Sequence, residues 1–197
     1  MMNKIFCLLG GCAVGKDTVR SILLQDYEQY FVPAVSTTTR PPRKGEVDGV
    51  HYYFEDDKAF NFYKDTHQFV EMREYTTATG EVWRYGYTYH EIEDKLAQNN
   101  ILIIADLAGF MDFKVIYGEQ AVGVYLQLDR DTRVQRYLNR DVITFELVEE
   151  AVRRIKDDDE RAFLVVDQWV DKTFDNYDSK TTAKKIVDYL IQEELIK

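Results

Sequence analysis

The sequence predicts an α/β fold: a three-layer sandwich with a largely parallel sheet, helices on both faces and a phosphate-binding loop at the end of its first strand. Three observations predict it. The apolar run Lys4–Leu9 feeds directly into Gly10-Gly-Cys-Ala-Val-Gly-Lys16, and a helical pattern follows. Strand, glycine-rich loop and helix start in that order fit G-x-x-x-x-G-K. Strand-like and helix-like segments then alternate along much of the chain, as parallel sheets require. Finally, Ile101-Leu-Ile-Ile104 shows no polar alternation, the pattern of a strand covered on both faces.

Apolar runs predict strands at Ile5–Leu9, Tyr30–Val35, Ile101–Ala105, Val122–Leu128 and Trp169–Phe174. Helical patterns fall at Lys16–Tyr27, Asp56–Lys64, His90–Ala97, Asp131–Arg140, Phe145–Val166 and Thr181–Leu195. The stretch 36–89 breaks the alternation. It is rich in Thr, Tyr and charge, and reads as a small mixed-β region inserted in the fold. A second polar interruption, 133–154, reads as a helical lid. The expected organisation is one domain, with a core of 1–35, 90–132 and 155–197, an acceptor-binding region at 36–89 and the lid at 133–154. Insertions flanking a phosphate loop suit two flaps that close over two substrates.

The net charge of −10 argues against a nucleic-acid binder, which carries an excess of basic charge. Anionic ligands must therefore meet local clusters of cations. Cys7 and Cys12 are too few and too close for a disulfide framework, which suits a reducing cytoplasm. The first apolar run is too short for a signal peptide or a membrane span. The partners expected are small-molecule nucleotides, not nucleic acid or membrane, for a monomer or homodimer.

In the loop, Gly10, Gly11, Cys12, Ala13, Val14 and Gly15 present backbone N–H groups at a helix start, where the dipole favours an anion. Lys16 reaches the outer phosphates. Asp17 and Thr18 stand where a magnesium-holding hydroxyl is usual. A second anion site is read at Val35-Ser-Thr-Thr-Thr-Arg-Pro-Pro-Arg43. Its prolines stiffen the backbone. A three-residue polyproline turn sends Arg40 and Arg43 the same way, and arginine forks match phosphate oxygens. Ser36 and the threonines add hydroxyl donors; Tyr52 and Tyr85 would be phenol donors to the same anion, or, each taken alone, ordinary half-buried tyrosines among the chain's fourteen. Asp106 ends an apolar strand beside the loop, placed either to bind magnesium through water or to cap a helix.

These motifs together resemble the guanylate kinase family from about residue 3 to 195. Ser36–Arg43, Gly45-Glu-Val-Asp-Gly-Val-His-Tyr52, Phe69-Val-Glu71, Tyr85-Gly86 and Asp106-Leu-Ala-Gly109 follow the phosphate loop in the family's order. The resemblance implies ATP as co-substrate, Mg2+, and GMP converted to GDP. It implies that Ser36, Arg40, Arg43, Tyr52 and Tyr85 hold the acceptor phosphate and Glu71 the guanine. Arg136, Arg140 and Arg154 would be lid arginines, acting in catalysis with Lys16 and Arg40, and Asn176 would lie near the adenine. Guanine offers N1–H and N2–H₂ side by side, and one carboxylate accepts both, so an unpaired Glu71 penalises other bases.

Some positions depart from the family pattern. Gly11-Cys12-Ala13 stands for Pro-Ser-Gly, Ile104 for a first aspartate, Tyr87 for a small hydroxyl residue at the guanine, and the Glu71–Tyr85 spacing is about five residues longer. The alternatives left open are a related kinase acting on another phosphorylated acceptor, such as another nucleotide or ribose 1,5-bisphosphate, and a non-catalytic interaction module.

Overall fold

The computed structural model describes residues 2–43, 45–77, 80–139, 144–161 and 166–197. Strands β1 (Ile5–Leu9), β2 (Val32–Pro33), β7 (Ile101–Ile104), β8 (Ala121–Gln127) and β9 (Lys172–Asp175) form one parallel sheet in the order β2-β7-β1-β8-β9. Side chains alternate across a strand, and β1 divides accordingly. Phe6 and Leu8 join a core with Val19 and Leu23 of α1 (Lys16–Asp26) and with Ala183, Ile186 and Leu190 of α7 (Ser179–Gln192). Ile5, Cys7 and Leu9 face the opposite core, with Ile92 of α3 (Tyr89–Leu96) and Phe110 and Phe113 of α4 (Leu107–Tyr117). Two cores on one buried sheet make the three layers, as expected.

The inserted region forms its own sheet, in the order β4-β3-β6-β5, from β3 (Thr37–Thr38), β4 (Tyr53–Phe54), β5 (Phe69–Thr76) and β6 (Val82–Thr88). β3 and β4 are parallel and the other pairs antiparallel. Helix α2 (Asp57–Asp65) buries Phe60 against Phe69 of β5. The long β5–β6 hairpin takes up the extra residues between Glu71 and Tyr85. Helices α5 (Arg130–Leu138) and α6 (Phe145–Arg161) pack together after β8.

Two local expectations shift, and one helix was not expected. The strand expected at Tyr30–Val35 pairs only at Val32 and Pro33, because proline has no N–H to continue the ladder. The expected Trp169–Phe174 strand begins at Lys172, after a single 3₁₀ turn at Val166–Gln168. Helix α4 was not legible in the sequence. Its apolar residues ring the axis instead of following one stripe: Phe110 and Phe113 are buried while Val115 is 83% exposed. Among the described residues no helix is long and apolar enough to cross a membrane.

Candidate active site

Helices α2, α3, α4, α5 and α7 each begin with a side-chain cap, from Asp56, Thr88, Asp106, Asp129 and Asp178. Helix α1 begins at Gly15 without one. The opening N–H groups of a helix have no partner within it, so those of α1 are left for an anion. Gly10 (φ +143°) and Gly15 (φ +99°) hold the loop in conformations that L side chains rarely adopt. A Cβ on Gly10 would also stand 2.5 Å from the Leu126 carbonyl oxygen. Lys16 Nζ donates to the carbonyls of Gly10 (2.7 Å) and Gly11 (3.0 Å), bending back over the loop. Burial lowers its pKa, and the charges of Asp17 and Asp158 oppose the shift. Asp17 and Thr18 are exposed in the first turn of α1.

The far end of the loop is tied to β9 and α5. Asn176, fully buried just after β9, donates Nδ2 to the Val14 carbonyl at 2.7 Å, while its Oδ1 is buried without a partner. Arg136 of α5 donates to the carbonyls of Val14 (3.2 Å) and Tyr177 (2.8 Å). Arg154 of α6 pairs with Glu150 at 2.6 Å and is half exposed. Hydrogen bonds from Arg153 and Arg154 hold the Glu150 carboxyl down at about 2. Arg140 lies outside the described residues.

On the other side, Arg40 is buried, its guanidinium 5.2 Å above the Tyr52 ring and bonded to Glu46 at 2.8 Å. Arg43 is exposed; its backbone N–H donates to the other Glu46 oxygen at 2.6 Å. Ser36 is buried, and its carbonyl accepts from Tyr53 N–H at the start of β4. The two-residue period of the β5–β6 hairpin puts Glu71, Arg73 and Tyr75 on one face, paired with Tyr87, Tyr85 and Trp83. A continuous wall results. Tyr52 meets Tyr85, and Tyr85 meets Tyr75 at 5.7 Å. Tyr75 donates to Asp106 at 3.1 Å. Arg73 reaches Asp112 (2.7 Å), Asp106 (3.5 Å) and Glu71 (3.8 Å).

Burial raises the Glu71 carboxyl to about 7; Arg73 opposes the shift, and Asp106 and Asp112 add to it. Asp106 caps α4 through Gly109 N–H, so the capping alternative is realised. Tyr87 is buried, with its hydroxyl 3.4 Å from the Ile104 carbonyl. The Tyr52 phenol is raised by burial and by Tyr85, opposed by Arg40, and raised further by Asp17 at the head of α1.

A protein-family model described as guanylate kinase matches residues 2–186. The chain belongs to the guanylate kinase family. It is 33% identical over 157 residues to a guanylate kinase of Listeria monocytogenes, covering 77% of this chain and 72% of that one. A guanylate kinase of Leifsonia xyli subsp. xyli is 30% identical over 190 residues, covering 96% of this chain and 71% of the relative. The fold matches the crystal structure of guanylate kinase from Anaplasma phagocytophilum with a TM-score of 0.70 at 24% identity, over 98% of this chain and 86% of that one.

Guanylate kinases are nucleoside-monophosphate kinases, so the chain is an enzyme of that class. Reading the sequence for the family's motifs named the loop and Tyr52 and Tyr85, but not Tyr75, which completes the wall. It missed Arg73, Asp112, Arg133 and the pair Asp158–Asp159. Those residues carry no local motif, and each has a partner distant in the chain: Arg133 and Asp158 are 25 residues apart, Arg73 and Asp112 39, Arg133 and Cys12 121, and Asp158 and Cys12 146.

Proposed function

We propose that this chain transfers the terminal phosphoryl group of ATP to GMP, yielding ADP and GDP. The observation supporting this reading is that the fold builds two cation-bearing sites. One is the uncapped α1 start with Lys16; the other is Arg40 over the Tyr52 ring, in a wall with Tyr85 and Glu71.

Phosphoryl transfer asks the protein mainly to position two polyanions and neutralise them. The loop amides and Lys16 hold the donor phosphates. Arg40, Arg43, Ser36, Tyr52 and Tyr85 hold the acceptor phosphate, while ionised Glu71 takes the guanine N1–H and N2–H₂. Arg136 and Arg154, with Arg140, bring positive charge to the transferring group as the lid 133–154 closes on the core. The adenine lies at Asn176, whose free Oδ1 suits an amino donor. Mg2+ fits an all-oxygen donor set of ATP phosphates, Asp17 or Thr18, and Asp106 through water. When bound, it neutralises phosphate charge.

A second acceptor stays in play because of Arg73. Its guanidinium stands 3.8 Å from Glu71, facing the carboxylate that a guanine edge would take. One coupled assay of ADP formation decides between them, run over GMP, dGMP, AMP, CMP, UMP, dTMP and ribose 1,5-bisphosphate. GMP is expected to give the highest kcat/KM; an equal or better rate with another acceptor removes the GMP assignment.

A further inference from the structure

The glycine loop is gripped from outside its own motif. Arg133 of α5 is 1% exposed. Its Nε donates to the Cys12 carbonyl at 2.9 Å, and its two terminal nitrogens donate to Asp158 (3.0 Å) and Asp159 (2.6 Å) of α6. The same Asp158 oxygen accepts the Cys12 N–H at 2.5 Å. Both polar groups of the Cys12 backbone are therefore spent on the α5–α6 pair. The guanidinium lies over Gly11 so closely that any Cβ there would overlap it. Beside this polar grip, Ala13 packs with Tyr137 and Ala151 of the same two helices.

We propose that Arg133 and Asp158 are positioning residues for the donor nucleotide. Fixing both groups of Cys12 holds the turn that leads into the uncapped start of α1, where the donor phosphates are proposed to sit. The arrangement is charge-critical. Asp158 and Asp159 place two carboxylates beside a polyanion site, and Asp158 already acts on Lys16. Arg133 neutralises them while holding the loop. Without Arg133, two partly buried carboxylates face the ATP phosphates uncompensated, and like charge at such a site repels the ligand strongly. Among the described residues the hydrogen bonds of this cluster reach Cys12, Asp158 and Asp159 and none of the acceptor wall, so the effect falls on ATP. The inference rests on reading the glycine loop as the ATP site and is independent of the acceptor's identity.

The test is calorimetric titration of the whole chain with a non-hydrolysable ATP analogue and Mg2+, and separately with GMP, beside steady-state KM values. Arg133→Met is expected to weaken analogue binding at least tenfold and to leave GMP binding within twofold. The double variant Arg133→Met/Asp158→Asn is expected to regain a substantial part of the loss, because it removes one of the uncompensated charges. Unchanged analogue binding in Arg133→Met, equal weakening toward GMP, or losses that add in the double variant would each overturn the proposal. Circular dichroism reports folding. If Arg133→Met does not fold, Asp158→Ala is titrated instead: weakening confined to the ATP analogue supports the grip, and unchanged binding overturns it. A wild-type chain that binds the analogue but does not phosphorylate GMP defeats the proposed function and leaves this inference intact.

Discussion

Lys16 and Glu71 carry opposite electrostatic problems, and each makes a prediction. Lys16 is desolvated, and among the described residues its hydrogen bonds go to its own loop's carbonyls, which fits the proposed phosphate role. Lys16→Ala should lower kcat by about a hundredfold to a thousandfold, the scale for losing one charge-stabilising donor. Its circular dichroism should match wild type, since Lys16 belongs to none of the hydrophobic cores. Glu71 is buried and raised to about 7. Guanine needs the ionised form, so GMP affinity should fall by roughly tenfold between pH 8 and pH 6, the change in ionised fraction for such a group. Calorimetry on Glu71→Gln should show only the weaker step of the GMP phosphate itself. The same variant should lower the GMP-to-AMP ratio of kcat/KM by about tenfold to a hundredfold. For folding the sign is opposite. A carboxyl raised in the folded state contributes most below its unfolded value, and that contribution is lost as pH rises through about 7. GMP, by binding the ionised form, offsets the loss.

At the scale of elements, small residues decide which helices and strands can meet. Gly123 of β8 is covered by the Phe110 ring of α4, and a Cβ there would stand 2.6 Å from Phe110 Cζ. A fully buried ring has little room to retreat, so Gly123→Ala should cost about 1–3 kcal/mol in urea unfolding, with GMP and ATP binding retained. On α6, Arg154 pairs with Glu150 one turn away. An exposed pair of this kind is worth only about 0.3–0.5 kcal/mol. Arg154→Met should therefore barely change stability, yet lower kcat by about a thousandfold, the loss expected when an arginine that meets transition-state charge is removed. A kcat change no larger than the stability change would return Arg154 to a purely helical role.

For the whole molecule, one sheet carries the proposed donor site and the other the proposed acceptor site, in a chain of net charge −10. Neither site is self-sufficient. The loop borrows Arg136, Asn176 and Arg133 from α5 and the β9 end, and the acceptor wall borrows Asp106 and Asp112 from α4. Ligands that bind only the folded chain should therefore stabilise it. At a hundred times its dissociation constant, each adds about 2.7 kcal/mol, or about 5–10 °C in Tm for a chain of this size. ATP with Mg2+ and GMP should each raise Tm in thermal unfolding, and both together should raise it further. A rise with ATP alone would remove the acceptor assignment.

Local chemistry made most of this readable from the chain alone. The glycine loop, the strand that feeds it, the arginine–proline segment and the tyrosines are coded by residues close in sequence, where turn geometry and periodicity act directly. Tertiary structure decided the rest. It made α4 a helix through burial of Phe110 and Phe113 against the sheet, although its pattern has no stripe. It buried Glu71 and set Arg73 beside it, and it delivered Arg133 and Asp158 to a peptide more than a hundred residues away. Charge pairing in a low-dielectric interior depends on distance in space, and distance in space is what the linear order of residues does not carry.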